Sequence, residues 1–136
     1  FKTYPGVKKY MTDIVTFAEK KGYVESIYGR KRHLETEMNS SNTQVREFAK
    51  RAAINHPMQG TAADLIKVAM IDLNNKLIEN NLESKMIVQV HDELVLEVKK
   101  SELEQVKSLV LEAMELGQPF KVPLLVDISA GASWKE

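Results

Sequence analysis

Apolar residues recur along this chain with two distinct periods. Val7, Tyr10, Met11, Ile14, Phe17 and Ala18 fall at helical spacing. Pro5 suits the first turn of such a helix, Lys20 and Lys21 suit its carboxyl end, and Gly22 is placed to terminate it. Residues 23–27 and 32–34 then read as two short strands around a basic tip, Tyr28-Gly29-Arg30-Lys31. Glu35 to Ser40 is polar and reads as loop. Ser41 and Gln44 have the spacing of a capping box, with Asn42 as a rival cap. The helix that follows carries Val45, Phe48, Ala49, Ala52 and Ala53 on its apolar side. Pro57 interrupts it, because proline has no amide proton and its ring crowds the Ala53 carbonyl. Thr61-Ala62-Ala63 resumes it, and Leu65, Ile66, Ala69, Leu73 and Leu77 carry the stripe to the region of Asn80. One long kinked helix meets this pattern, and so do two consecutive helices.

The period then changes. Met86–Val90 and Leu94–Val98 are strand-like runs separated only by His91, Asp92 and Glu93, a connection so short that it predicts an antiparallel hairpin with buried flanks. Ser101 is placed to cap a helix reaching Leu116, with Leu103, Val106, Val110 and Met114 inward and Gly117 as its end. Val122 to Ile128 reads as a last strand. Long helices packed on a small antiparallel sheet make this an α+β fold.

Composition narrows the class. The 136 residues are 43% apolar and 28% charged, with no cysteine, so disulfides and thiol-based metal or nucleophile sites are excluded. No apolar run approaches the roughly 20 residues of a membrane-spanning helix, and no signal-like segment opens the chain. The expectation is a cytoplasmic protein with no membrane partner. The net charge of zero conceals an asymmetry: residues 1–60 carry a balance of +5 and residues 61–136 a balance of −5. A basic half beside an acidic half suits a protein that grips a polyanion and holds divalent cations, although unevenly charged solvated faces give the same count.

Three groups of residues could carry chemistry. Asp92 and Glu93 are consecutive carboxylates at the tip of an apolar hairpin, and a hard divalent cation such as Mg2+ would compensate their charge. A plain polar turn with its side chains in water accounts for the same pair. His91 has no second histidine near it in sequence, which gives zinc little support and suggests contact with a substrate phosphate or sugar instead. Arg51, Asn55 and Gln59, four residues apart, share one helical face if the helix survives Pro57. Their donors suit the minor-groove edge of a duplex, whose acceptors lie at similar places in every base pair. An ordinary polar helix face would look alike, and the small residues Gly60 to Ala63 fit tight helix packing as well as nucleic acid. Arg30, Lys31 and Arg32, with Arg46, Lys50 and Arg51, form a basic set that could neutralise phosphates.

Together these residues resemble family A DNA polymerases. The run from Arg51 to Asp64 is similar to the helix before the palm core of that family, and the run from Gln89 to Glu97 resembles its third catalytic motif. Residues 122–126, followed by Gly131 and Trp134, are similar to its carboxyl terminus. The resemblance implies that Asp92 ligates catalytic Mg2+ with Glu93 assisting, and that His91 sits beside the primer 3′ end. It also implies that Arg51, Asn55 and Gln59, with Arg30 and Arg32, contact primer–template DNA. Residues 1–40 would belong to the fingers and residues 41–136 to the palm. The implied activity is template-directed transfer from deoxynucleoside triphosphates to a primer 3′-hydroxyl by a two-metal route, in DNA replication and repair. The family's second catalytic aspartate and its nucleotide-gripping helix have no match here, so the expectation is a polymerase fragment that is inactive by itself. An alternative is a non-catalytic module that binds duplex DNA without regard to sequence. A His-Asp phosphohydrolase is a poor third, because His33 and His56 stand in unrelated contexts. A sheet lacking a partner strand leaves an edge and an apolar face uncovered, so self-association is expected.

Overall fold

The computed structural model describes residues 2–116 and 121–134 and divides the chain into two compact units, Phe1–Asp64 and Leu65–Glu136. In the first unit, helix α1 (Pro5–Lys21) ends at Gly22, whose φ of 79° is left-handed and whose amide returns to the Ala18 carbonyl at 2.8 Å. A side chain here would be strained, which accounts for glycine at this position. Strands β1 (Tyr23–Glu25) and β2 (Lys31–His33) pair antiparallel with Val24 opposite Arg32. The segment expected as loop contains a helical turn, α2 (Glu35–Met38). Leu34 is buried, Met38 packs on the same cluster, and the Met38 amide donates to the Leu34 carbonyl at 2.9 Å. That four-residue apolar pair is too short a signal for periodicity to register. Ala18, Val24, Leu34, Ala52 and Ala53 form the core.

Helix α3 (Thr43–Glu79) is one element of 37 residues with Pro57 inside it, so of the two alternatives the single long helix holds and the proline does not end it. Asn42 caps it: its Oδ1 accepts the Gln44 amide at 2.9 Å, which decides against the Ser41 alternative. At the other end Asn81 takes a left-handed φ of 55°, and the amides of Asn81 and Leu82 return to the carbonyls of Ile78 and Leu77. This is a Schellman terminus.

In the second unit β3 (Lys85–Val90) and β4 (Glu93–Glu97) form a two-stranded antiparallel sheet. The register shifts between Met86 and Val88, leaving Ile87 as the extra residue of a bulge. The bulge turns Met86 to the face of Leu94 and Leu96, which packs on Leu73, Leu77, Val106, Leu109, Val110 and Ala113. Val88, Val90 and Val95 share the opposite face, with Val88 37% and Ile87 56% exposed. The hairpin flanks are therefore half-buried at most, with Val90 and Val95 partly covered and Ile87 and Val88 exposed, contrary to the expectation of buried strands. Ser101 is not a cap. It lies within a 3-10 turn (Lys100–Glu102) ahead of α4 (Leu103–Leu111), and a π-helical turn (Glu112–Leu116) follows. Gly117 lies outside the described residues. Residues 122–128 form no strand, because a strand needs a ladder. Val126 donates its amide to the Glu115 carboxylate, and Pro123 has no amide to give. Among the described residues no helix is long and apolar enough to cross a membrane.

Glu102 ties the two ends of the hairpin together. Its carboxylate accepts the amides of Glu83 and Ser84 at 3.0 Å and the Ser84 hydroxyl at 2.7 Å, and Ser84 Oγ accepts the Lys99 amide at 3.1 Å. These donors, the Ser84 hydroxyl foremost, hold the Glu102 carboxyl below the usual carboxylate range. A carboxyl whose pKa is lower folded than unfolded stabilises the fold above its unfolded value, and that contribution is lost as pH falls toward the folded one. Glu102→Gln replaces an acceptor with a donor facing these amides and should lower the melting temperature at neutral pH. The gap to the parent chain should close as pH falls through the carboxylate range, as thermal melts at several pH values would read. A gap independent of pH would contradict this role.

Candidate functional site

The β3–β4 connection is tighter than the three residues expected. Val90 pairs with Glu93, so the loop is His91-Asp92 alone. His91 adopts φ 54° and Asp92 does not share the positive sign, the φ pattern of a type II′ turn, in which glycine is the usual first residue. The Gln89 side-chain amide donates to the His91 carbonyl and fastens the turn from within. A non-glycine residue held left-handed costs about 1–3 kcal/mol, and such strain clusters where function needs a side chain. The sequence keeps a histidine where a glycine would be relaxed.

His91, Asp92 and Glu93 are all exposed, and neither carboxylate has an ion-pair or hydrogen-bonding partner among the described residues. The desolvation argument for a bound cation therefore does not apply at this tip. What remains is the donor set. Mg2+ takes one or two carboxylates and completes its shell with water and phosphate, so Asp92 and Glu93 fit that ion. No group of three or more His, Cys, Asp or Glu gathers to hold a metal among the described residues. Zinc, which needs three or four protein ligands, does not fit.

In the first unit Arg51, Asn55 and Gln59 lie at successive fourth positions of α3, which runs unbroken past Pro57, so they share a face as expected. All three are exposed, with no side-chain partner among the described residues. The basic set divides. Arg46 donates to the Ser40 carbonyl at 2.6 Å, Lys50 pairs with Glu47, and Lys31 covers the Tyr23 ring at 4.5 Å. Arg30 sets its Nε 2.9 Å from Asp64 Oδ1. Only Arg32 and Arg51 of these six have no partner among the described residues. Sequence reasoning missed Asp64, Ser26 and Thr61, which bond across 30 or more residues and leave no local signal.

Residues 1–136 match the model of DNA polymerase family A. The chain belongs to that family. It is 48% identical over 136 residues to the DNA polymerase I of Streptococcus pneumoniae, covering all of this chain and 15% of that protein. It is 49% identical over 134 residues to the DNA polymerase I of Bacillus caldotenax, covering 98% of this chain and again 15% of the relative. The POL domain of Pol1 from M. smegmatis, solved in complex with DNA primer-template and dNTP, superimposes with a TM-score of 0.95 at 46% identity. That match covers 99% of this chain and 24% of the solved one. The chain thus spans about 15% of the length of the family A relatives it matches.

The strain at His91 can be measured. His91→Gly should leave the hairpin as stable as before or raise its stability by up to about 1 kcal/mol, since relief of the left-handed penalty exceeds the added chain entropy. His91→Val, β-branched at positive φ, should lower it by about 1–2 kcal/mol. Denaturant unfolding of the three proteins checks the order, and equal stability of all three would refute it.

Proposed function

We propose that this chain supplies the primer-end and duplex-gripping part of a template-directed DNA polymerase acting in the cytoplasm in DNA replication and repair. The carrying observation is that Asp92 in a two-residue turn and Glu93 beside it present two carboxylates without partners among the described residues, in a chain matching family A over its whole length. In this reading residues 1–40 belong to the fingers and residues 41–136 to the palm. The reaction is attack of the primer 3′-hydroxyl on the α-phosphate of a deoxynucleoside triphosphate, with pyrophosphate leaving.

Asp92 holds Mg2+ and Glu93 adds negative charge beside it. When bound, Mg2+ supplies positive charge that acidifies a hydroxyl and stabilises phosphate oxygens. His91, held outward by its strained backbone, orients the terminal sugar or phosphate of the primer. Asn55 and Gln59 donate to minor-groove acceptors common to all base pairs, and Arg51 joins them from the same face. Arg32 contacts backbone phosphate. Two carboxylates are too few for a pair of ions, which supports inactivity of the 136-residue chain alone. The exposed Ile87 and Val88, beside the half-buried Val90 and Val95, support self-association, and light scattering returning a monomer would contradict it.

The test is a graft of this segment in place of the matching stretch of the S. pneumoniae enzyme. The graft should extend primers, and Asp92→Ala within it should lower extension about a thousandfold, the several kcal/mol of a lost metal ligand. Duplex affinity should stay within a few fold. Extension that survives Asp92→Ala overturns the assignment. A graft that grips duplex and never extends favours the alternative, a sequence-independent duplex-binding module, to which the exposed Arg51, Asn55 and Gln59 face would then belong.

A further inference from the structure

Pro57 stands midway between Asn55 and Gln59, where α3 lacks a backbone donor. The turn between β1 and β2 braces that point. Ile27 donates its amide to Thr61 Oγ1 at 2.8 Å, and the Thr61 hydroxyl donates to the Pro57 carbonyl. Arg30 reaches Asp64 through Nε at 2.9 Å and donates from Nη2 to the Gly60 carbonyl at 3.4 Å. Ser26 Oγ donates to the second Asp64 oxygen at 2.7 Å and accepts the amides of Tyr28 and Arg30 at 3.3 and 3.2 Å. The His56 ring, with Nε2 3.4 Å from the Arg30 carbonyl, fits only because residue 60 is glycine: a Cβ there would lie 2.9 Å from His56 Cε1. Beyond Ile54, whose carbonyl accepts the Tyr10 hydroxyl at 3.0 Å, the helix is held from α1 as well.

We propose that the turn from Ser26 to Arg30 is a splint for the proline break, and that Arg30 is a positioning residue acting through Asp64, not a phosphate contact. The Asp64 side chain is only 12% exposed and both its oxygens are used. A guanidinium turned toward phosphate would leave that carboxylate with one neutral donor in a mostly dry site, an unfavourable exchange. Arg32, two residues on in β2 and free of such bonds among the described residues, is a side chain available to phosphate. The splint fixes the offset between Asn55 and Gln59 on either side of Pro57, and with it the spacing at which two groove acceptors are checked. This consequence rests on the duplex reading above; the splint does not.

The experiment compares Arg30→Gln and Arg32→Gln in the 136-residue chain by amide hydrogen exchange and by duplex binding across salt concentrations. Arg30→Gln should speed exchange about tenfold at residues 58–64 and 27–30, with β3, β4 and α4 unchanged as the sign that the chain remains folded. Its binding should keep the parent salt slope while the preference for matched over mismatched primer ends falls. Arg32→Gln should leave exchange alone and reduce the slope by about one contact. Unchanged exchange in Arg30→Gln, or a slope reduced by one, overturns the proposal. Should Arg30→Gln not fold, Asp64→Asn, which keeps the size of the side chain, must show the same local pattern. If exchange rises as expected but no protein binds duplex, the splint stands and the duplex reading falls.

Discussion

Helix α3 runs through Pro57, and the shared face proposed for Arg51, Asn55 and Gln59 depends on its doing so. An interior proline removes a hydrogen bond and crowds the preceding turn, a penalty of about 3 kcal/mol. Four bonds from outside the helix offset it: the Tyr10 hydroxyl on the Ile54 carbonyl, the Ile27 amide on the Thr61 hydroxyl, and Arg30 and Ser26 on Asp64. At about 1 kcal/mol each these bonds match the penalty. Each core also borrows one half of the same helix, Ala52 and Ala53 in the first unit and Leu73 and Leu77 in the second. A break at residue 57 would remove the shared face of Arg51, Asn55 and Gln59 without touching any of the three.

The hairpin of the second unit shows how two backbone irregularities divide labour. The bulge at Ile87 decides which residues of β3 face the core, and without it Met86 and Val88 would share a face. The left-handed His91 decides where the tip points. Between them Glu102 closes the base of the hairpin by accepting from Glu83 and Ser84. The tip itself is wet, and that alters the argument for an ion. A cation at Asp92 and Glu93 would be drawn by two adjacent negative charges and by phosphate oxygens brought with a substrate. No buried charge needs neutralising there, and in water such attraction is about 1 kcal/mol per pair at contact distance. Tight binding at this tip needs the substrate as a further ligand.

Much of this architecture was legible along the chain. Helical spacing placed α1 and both halves of α3, and alternation around His91 placed the hairpin, because these signals are local and long enough to repeat. The Leu34–Met38 turn was hidden by its brevity. Residues 122–128 have strand-like side chains, yet pairing is a property of two segments and cannot be read from one. At the site the outcome was similarly divided. Asp92, Glu93 and His91 were readable as a tip motif, and Arg51, Asn55 and Gln59 as a face. The network on Asp64 was not, since Ser26 and Arg30 lie 38 and 34 residues away from it.

The partners of the basic residues also change what charge can contribute. Six cations cluster in sequence around β2 and early α3, and counting them suggests a strongly electrostatic grip. Arg30, Arg46, Lys31 and Lys50 are committed to a carboxylate, a carbonyl, a ring and a glutamate respectively. Each released counterion requires a cation free to meet a phosphate, so in the proposed duplex reading Arg32 and Arg51 would set the ionic share contributed by this region. In that reading the remaining affinity would come from uncharged donors such as Asn55 and Gln59, whose hydrogen bonds depend on geometry far more than point charges do. A surface built in that proportion would sense the shape of a base pair better than the mere presence of a polyanion, and for that it would need a helix that does not flex at its proline.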